Sequence, residues 1–343
     1  MYNLNKITVD SKNNNFKSEN GNLLSKDGKM LYFIYGDTTS TNITIPNGVE
    51  EIKSGALSII KNTETIKLPA SISSINSYTF DGLEKLQAIE VDPNNEKYKT
   101  IGNGVYSKNG EDLIIYLGNE NKIQIPEEVK NIRGGAIRNT IATEIILPTN
   151  LETIEAWALR TLNNVNLINM PAKVKSIDVN AFGGINAKVK ISEQNQTYKS
   201  VNDNMILSKD GKSLYWVNRN LENIEIPNTV EIIRASTFDG CSKIEQLNIP
   251  NTVKIIENNA FASCHKLKEV KIPNGVKIIK DGAFSSCGNL SKIVIPSSVE
   301  MIYSTAFQSD KLLKEIIIEK PENSISGAPW GCPFGNRAIK WKE

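Results

Sequence analysis

The feature that most constrains this chain is a 23-residue repeat, cleanest between Asn223 and Ser298. Cut after its prolines, the stretch reads NIEIP, NTVEIIRASTFDGCSKIEQLNIP, NTVKIIENNAFASCHKLKEVKIP and NGVKIIKDGAFSSCGNLSKIVIP, closed by Pro227, Pro250, Pro273 and Pro296. A fixed period of this length marks a solenoid, in which a unit buries its apolar side only by stacking on its neighbours. The residues before each proline alternate, as in Val270-Lys271-Ile272 and Ile293-Val294-Ile295. That alternation is the pattern of a half-buried strand. Proline, with no N–H to give a ladder, ends it. Next come an apolar pair three apart, such as Val253 and Ile256, and then Ala-Phe, as in Ala260-Phe261. This spacing predicts a tight turn or short 3₁₀ piece, because no run is long enough for several helical turns.

Stacked about 4.8 Å apart, equivalent residues form columns. Phe238, Phe261 and Phe284 make one; Cys241, Cys264 and Cys287 make another. The equivalent slots of other repeats hold Ile60, Leu83 and Leu162, so the cysteines read as small buried side chains. No metal site is expected, because zinc needs closely spaced ligands and His265 is the only histidine. A Cys264–His265 dyad would elaborate a slot that sister repeats fill with Cys241-Ser242 and Cys287-Gly288, so a thiol-dependent enzyme is the remotest alternative. No cofactor is expected.

The same proline stops recur at Pro46, Pro69, Pro126, Pro148 and Pro171. Three stretches break the period and resemble one another: near 10–41, 92–121 and 192–222. Each holds an Asp-Gly or Asn-Gly pair between apolar runs: Asp27-Gly28, Asn109-Gly110, Asp210-Gly211. Such pairs predict type I′ turns, hence β-hairpins projecting from the solenoid edge. Between Pro126 and Ile191 the match weakens. Ile137 and Leu159 replace phenylalanine, and Trp157 appears, which predicts local irregularity. Counting Ile-x-Ile strands from Ile7–Val9 to Ile316–Ile318 gives about 13 coils in a right-handed stack. The solenoid then spans 1–318, with a Pro-, Gly- and Trp-rich cap over 319–343.

Forty basic against 38 acidic residues leave a net charge of +2, and only six of the basic residues are arginine. Neither fact favours nucleic acid as a partner. No apolar run approaches the roughly 18 residues of a membrane span. Met1–Lys6 lacks a basic-then-apolar start, yet Ile7-Thr8-Val9 reads as the end of a repeat. A leader and earlier repeats are therefore expected upstream; the alternative is a cytosolic protein with a frayed first coil.

The unit IPNTVKIIENNAFASCHKLKEVKIP resembles the bacterial leucine-rich repeat of the BspA-like, or Treponema pallidum-type, family, over nearly the whole chain. The resemblance implies a leucine-rich-repeat solenoid, nominally of the α/β horseshoe class but mainly β here. It also implies a secreted or surface-anchored bacterial protein, adhesin-like and non-enzymatic, with a protein or glycan ligand, host extracellular molecules among the candidates. A monomer is expected; a self-associating surface array is the alternative. The outward strand positions are mostly polar, and Ile146, Val294 and Ile317 break that rule. Val294 and Ile317 with Lys271 are the expected contact patch. Trp330, in the cap, is a candidate sugar platform.

Overall fold

A computed structural model describes residues 7–35, 39–138, 140–160 and 162–342. The expectation for Met1–Lys6 lies outside them. The chain is a β-solenoid of about 13 coils at the 23-residue spacing, with almost no helix. Backbone contacts divide it into two units, one of Met1–Val165 with Ser176–Gly183, the other of Asn166–Lys175 with Gly184–Glu343.

A regular coil has three hydrogen-bonded sides. The first is the expected Ile-x-Ile strand. In the first unit it pairs Asn42–Thr44, Thr65–Leu68 and Ala88–Val91 in parallel, and separately Lys122–Gln124 with Glu144–Ile146. In the second unit it pairs Leu167–Met170 with Lys188–Ile191, and joins Glu269–Lys271, Lys292–Ile295, Glu315–Ile318 and Ile339–Trp341. The last strand lies inside the segment read as a cap, so the ladder runs one strand beyond the expected end. Three expected strands are missing: Ile7–Val9, Ile224–Ile226 and Leu247–Ile249 carry none. At Lys188–Ile191 the third insertion takes over the pairing, with the Val189 N–H donating to the Asp203 carbonyl at 2.8 Å. The coils that follow lack that template, and the ladder resumes at Glu269.

The second side corrects the turn expected at Val-x-x-Ile. Each proline carbonyl accepts from the N–H three residues on, as Pro250 does from Val253 at 3.1 Å, and this turn feeds a second parallel ladder. Ile232–Ile233, Ile255–Ile256, Ile278–Ile279 and Met301–Ile302 stack in register. So do Asn131–Ile132, Thr153–Ile154 and Ser176–Ile177. Two residues per strand are too few for alternation to show in the sequence.

The third side is the Ala-Phe segment. Its amides alternate between a turn within the coil (Ala260 N–H to Glu257 O, 3.2 Å) and the next coil (Phe261 N–H to Ala283 O, 2.8 Å). The residue before alanine is left-handed in most coils: Asn259 at φ 55°, Gly282 at 63°, Asn180 at 60°, Trp157 at 61°. That reversal breaks the expected 3₁₀ turns. Among the described residues only Ser77–Phe80 and Gly335–Ala338 are 3₁₀ helices. In the first, Tyr78 holds the slot others give to left-handed residues, and Asn76 Oδ1 caps the turn through the Tyr78 N–H at 2.9 Å.

Each Asp-Gly or Asn-Gly pair does turn an antiparallel hairpin, but the hairpins do not project: with a further strand before each they form three-stranded antiparallel meanders built into the second ladder. The second is Tyr98–Ile101, Gly104–Ser107 and Asp112–Leu117. Its last strand pairs in parallel with Asn131–Ile132 and then with Ile137–Arg138, so it serves as two sides of a coil. The glycine turn also differs from the type I′ reading. The Gly110 N–H donates to Ser107 O at 2.8 Å, and Gly110 alone of the Asn-Gly pair is left-handed, at φ 85°. This is a type I turn followed by a left-handed residue, and the register shift between Leu113 and Ile115 is a separate bulge with Ile114 as its extra residue. Asn95 anchors this insertion. Fully buried, it donates to Ile72 O (2.8 Å) and Ala70 O (3.1 Å), and accepts from the Lys97 and Tyr98 amides. Asn195 repeats the arrangement on Val174 O.

The core is columnar. Phe238, Phe261, Phe284 and Phe307 stack with ring centroids 4.8, 5.1 and 6.1 Å apart. Outside, ion pairs join equivalent positions of adjacent coils, as Glu231 does with Lys212 (3.0 Å) and Lys254 (2.8 Å). Exposed pairs contribute little each, but in near-identical coils they penalise a slipped register.

Candidate interaction surface

The sequence patch resolves into one row of a sheet. Strand register aligns Lys271 with Val294, Val294 with Ile317, and Ile317 with Lys340. Lys271 and Lys340 are exposed and Val294 half-buried, but Ile317 is 9% exposed. The unforeseen Ile339–Trp341 strand is the reason, since it lies beside Ile317. Ile317 therefore drops out as a contact residue. Ile146 is half-buried in the two-stranded sheet of the first unit. Trp330 is 1% exposed, which removes it as a sugar platform. It stands 23 residues after Phe307 and meets that ring edge-on at 6.4 Å, so it ends the aromatic column, with Nε1–H donating to Ser326 O at 2.9 Å.

The thiols are packed and hydrogen-bonded. Cys264 Sγ donates to Phe238 O at 3.3 Å and Cys287 Sγ to Phe261 O at 3.2 Å. Burial pushes the Cys241 thiol up to about 12 and raises Cys264 and Cys287 too. His265 is exposed, and its Nδ1 sits 3.0 Å from Ser286 O rather than against the neighbouring sulfur. Nothing here assembles a nucleophile with a base. Among the described residues, no cluster of three metal-ligating side chains forms and no helix is long and apolar enough to cross a membrane.

The most distinctive surface lies on the third side of the irregular coils of the first unit. Asp81, Arg138 and Arg160 each follow the aromatic slot of their repeat (Phe80, Ile137, Leu159), so stacking brings them together. Arg138, 5% exposed, binds the Asp81 carboxylate through Nη1, and Arg160 approaches the same oxygen at 3.5 Å. Arg138 Nε–H donates to Gly135 O at 2.9 Å, while Nη2 is buried with no hydrogen-bond partner. Both guanidinium groups lie over the Tyr78 ring, 5.5 and 5.9 Å from its centroid. Tyr78 leans over Gly135, where an added Cβ would sit 3.0 Å from the ring and 3.2 Å from Nη2. A cavity of about 130 Å³ opens beside the group, lined by Phe80, Asp81, Leu83, Leu117, Arg138 and Arg160. Two slots before Leu159, Trp157 is half-buried in the left-handed region. A bulky residue there is an outlier, carrying strain on the order of 1–3 kcal/mol.

Arg138 and Arg160 were missed in the sequence because their repeats lose the phenylalanine there, and Tyr78 and Asp81, beside the retained Phe80, because their partners lie beyond the second insertion. The available signal was register: three charged residues in one slot, in a chain with six arginines.

A search of curated protein sequences finds no match to this chain. Among solved structures, a leucine-rich cell surface protein of Faecalibacterium prausnitzii aligns over 92% of this chain and 97% of its own, at 19% identity and a TM-score of 0.54. The pneumococcal vaccine antigen PcpA aligns over 91% of this chain and 84% of its own, at 20% identity and a TM-score of 0.60. At these identities the likeness is one of fold. The model of the BspA type leucine-rich repeat region matches residues 31–120, 116–207 and 211–328. Matched over most of its length and folded as those repeats require, the chain belongs to the BspA-type leucine-rich-repeat family.

Proposed function

We propose that this chain is a non-enzymatic binding module of the bacterial cell surface, adhesin-like, which engages a protein or glycan partner through the face of its solenoid. The observation that carries the reading is the Tyr78, Arg138, Arg160 and Trp157 group. Tryptophan, tyrosine and arginine are the residues over-represented where binding energy concentrates. Here Arg138 and Arg160 line a cavity with Tyr78 over both guanidinium groups, and Trp157, three residues before Arg160, is held at a strained backbone angle. The fold neighbours described as a cell surface protein and a vaccine antigen support a surface location. The test is an array of glycans and extracellular-matrix proteins probed with the wild-type chain and with Tyr78→Ala, Trp157→Gly and Val294→Glu. The first two variants are expected to lose at least tenfold in affinity for a bound ligand. If both bind every ligand as the wild type does, the surface assignment is wrong.

A second reading, self-association, has one observation in its favour. Met301–Ile302 ends the second ladder of its unit with a bonded neighbour on one side only, and Met301 and Tyr303 beside it are 48% and 39% exposed. An open strand edge is a template for pairing with another chain. Sedimentation of the wild type against Met301→Lys decides it: a concentration-dependent dimer that the substitution abolishes supports self-association.

A further inference from the structure

The thiol column has a member that is not a thiol. Asp310 follows Cys287 by 23 residues and occupies the next slot, fully buried. Its Oδ1 accepts the Cys287 N–H at 2.6 Å. Its Oδ2 is buried and, as an ionised acceptor, has no partner. The column supplies the missing bond. Cys264 donates to the carbonyl 26 residues before it, Phe238, and Cys287 does the same to Phe261. The same step from Asp310 reaches the Phe284 carbonyl, which accepts no hydrogen bond among the described residues.

We propose that Asp310 stands in the column as a protonated acid, donating Oδ2–H to the Phe284 carbonyl, and that loss of this proton to solvent loosens the last coils of the second unit. A carboxylate at that position would set a buried charge against a carbonyl lone pair, which is costly unless a cation or donor answers it. The titratable groups facing Asp310 are thiols: Cys287 on the coil before and Cys332 on the coil after, both raised by burial and by the acid itself. No cation is paired with it among the described residues. Burial holds the Asp310 carboxyl at about 8, far above its ordinary value of 3.8, with the Cys287 N–H opposing. The sign follows. Between about pH 4 and 8 the folded chain keeps a proton that the unfolded chain has released, so stability falls as pH rises through that window. The folding constant drops by up to about tenfold per pH unit for this single proton. Above it the folded acid ionises and the strain becomes local.

Infrared difference spectra and thermal melts from pH 5 to 9.5 test this. The wild type is expected to show a protonated carboxylic C=O band at pH 7 that vanishes above pH 8. Its Tm should fall between pH 5 and 8, and the Cys287 and Leu313 amides should lose protection, after correction for intrinsic exchange, above pH 8. Asp310→Asn keeps an acceptor and a neutral donor, and Asp310→Cys restores the column. Both should flatten the Tm profile, and Asp310→Asn should lack the band. A band that persists in Asp310→Asn, or a Tm slope unchanged in both variants, overturns the proposal. If neither variant folds, a wild-type spectrum without the band at pH 7 overturns it alone.

Discussion

Trp157 and Phe261 show how differently two aromatic residues of one repeat are used. Phe261 is 1% exposed and sits between two stacked rings. Truncation to alanine leaves a cavity in a column that cannot collapse without shifting whole coils, so a loss of about 3–5 kcal/mol is expected in urea denaturation. Trp157 is half-buried, and its φ of 61° suits glycine or asparagine. Trp157→Gly releases backbone strain while giving up contact area, so stability should stay within about 1 kcal/mol of wild type. A loss above 3 kcal/mol would make it a core residue. The turn glycines behave in the opposite sense. Gly211 is left-handed at φ 80°, with the Lys199 ammonium 2.9 Å from where a Cβ would sit. Gly211→Ala should cost about 1 kcal/mol from backbone conformation alone.

At the scale of elements, the sequence disclosed what repeats with side-chain contrast and hid what does not. The Ile-x-Ile strand alternates and is followed by proline, so it was legible, although the same pattern at Ile224–Ile226 and Leu247–Ile249 carries no strand. The Ile255–Ile256 strand has two residues, both isoleucine, and was not. The insertions announced themselves through Asn109-Gly110, but their first strand is polar (Tyr98-Lys99-Thr100-Ile101) and carries little pattern. What fixes them is a single buried amide. Asn95 has no counterpart signal in hydrophobic periodicity, yet it satisfies carbonyls of the preceding coil and amides of its own. Asn95→Ala leaves those carbonyls unanswered and should destabilise by about 1–3 kcal/mol. Hydrogen exchange would locate the effect: amides of Tyr98–Ile101 should exchange faster while those of Lys292–Ile295 do not change. Of the proposed contact surface, the sequence marked Trp157 as irregular but not the Asp81–Arg138 pair, because these two are 57 residues apart and meet only once the second insertion is folded.

For the molecule as a whole, one-dimensional order makes coils dispensable in a way domain elements are not. Each coil touches only its neighbours, so stability is roughly a sum over coils and interfaces. Excision of 251–273, one full period, should leave a folded chain with the same circular dichroism per residue and a lower denaturation midpoint. Excision of 251–270 removes three residues fewer and should unfold the coils it joins, since the fused coil is three residues too long to set its strands opposite those of both neighbours.

The order is broken where the second insertion enters. Ala88–Val91 and Lys122–Gln124 belong to separate sheets, and the second ladder restarts at Tyr98–Ile101. Across that seam the third side is stitched by side chains, with Ser77 Oγ–H donating to Gly134 O and Asp81 holding Arg138. Under tension the first unit therefore carries a seam and its clasp in one place. Pulled from both ends, the first unit should yield first between 91 and 122, and Arg138→Ala should lower that rupture force while leaving later force peaks untouched. Drawn out by force, the chain would then lengthen by releasing a few clasps before it sacrifices a single coil.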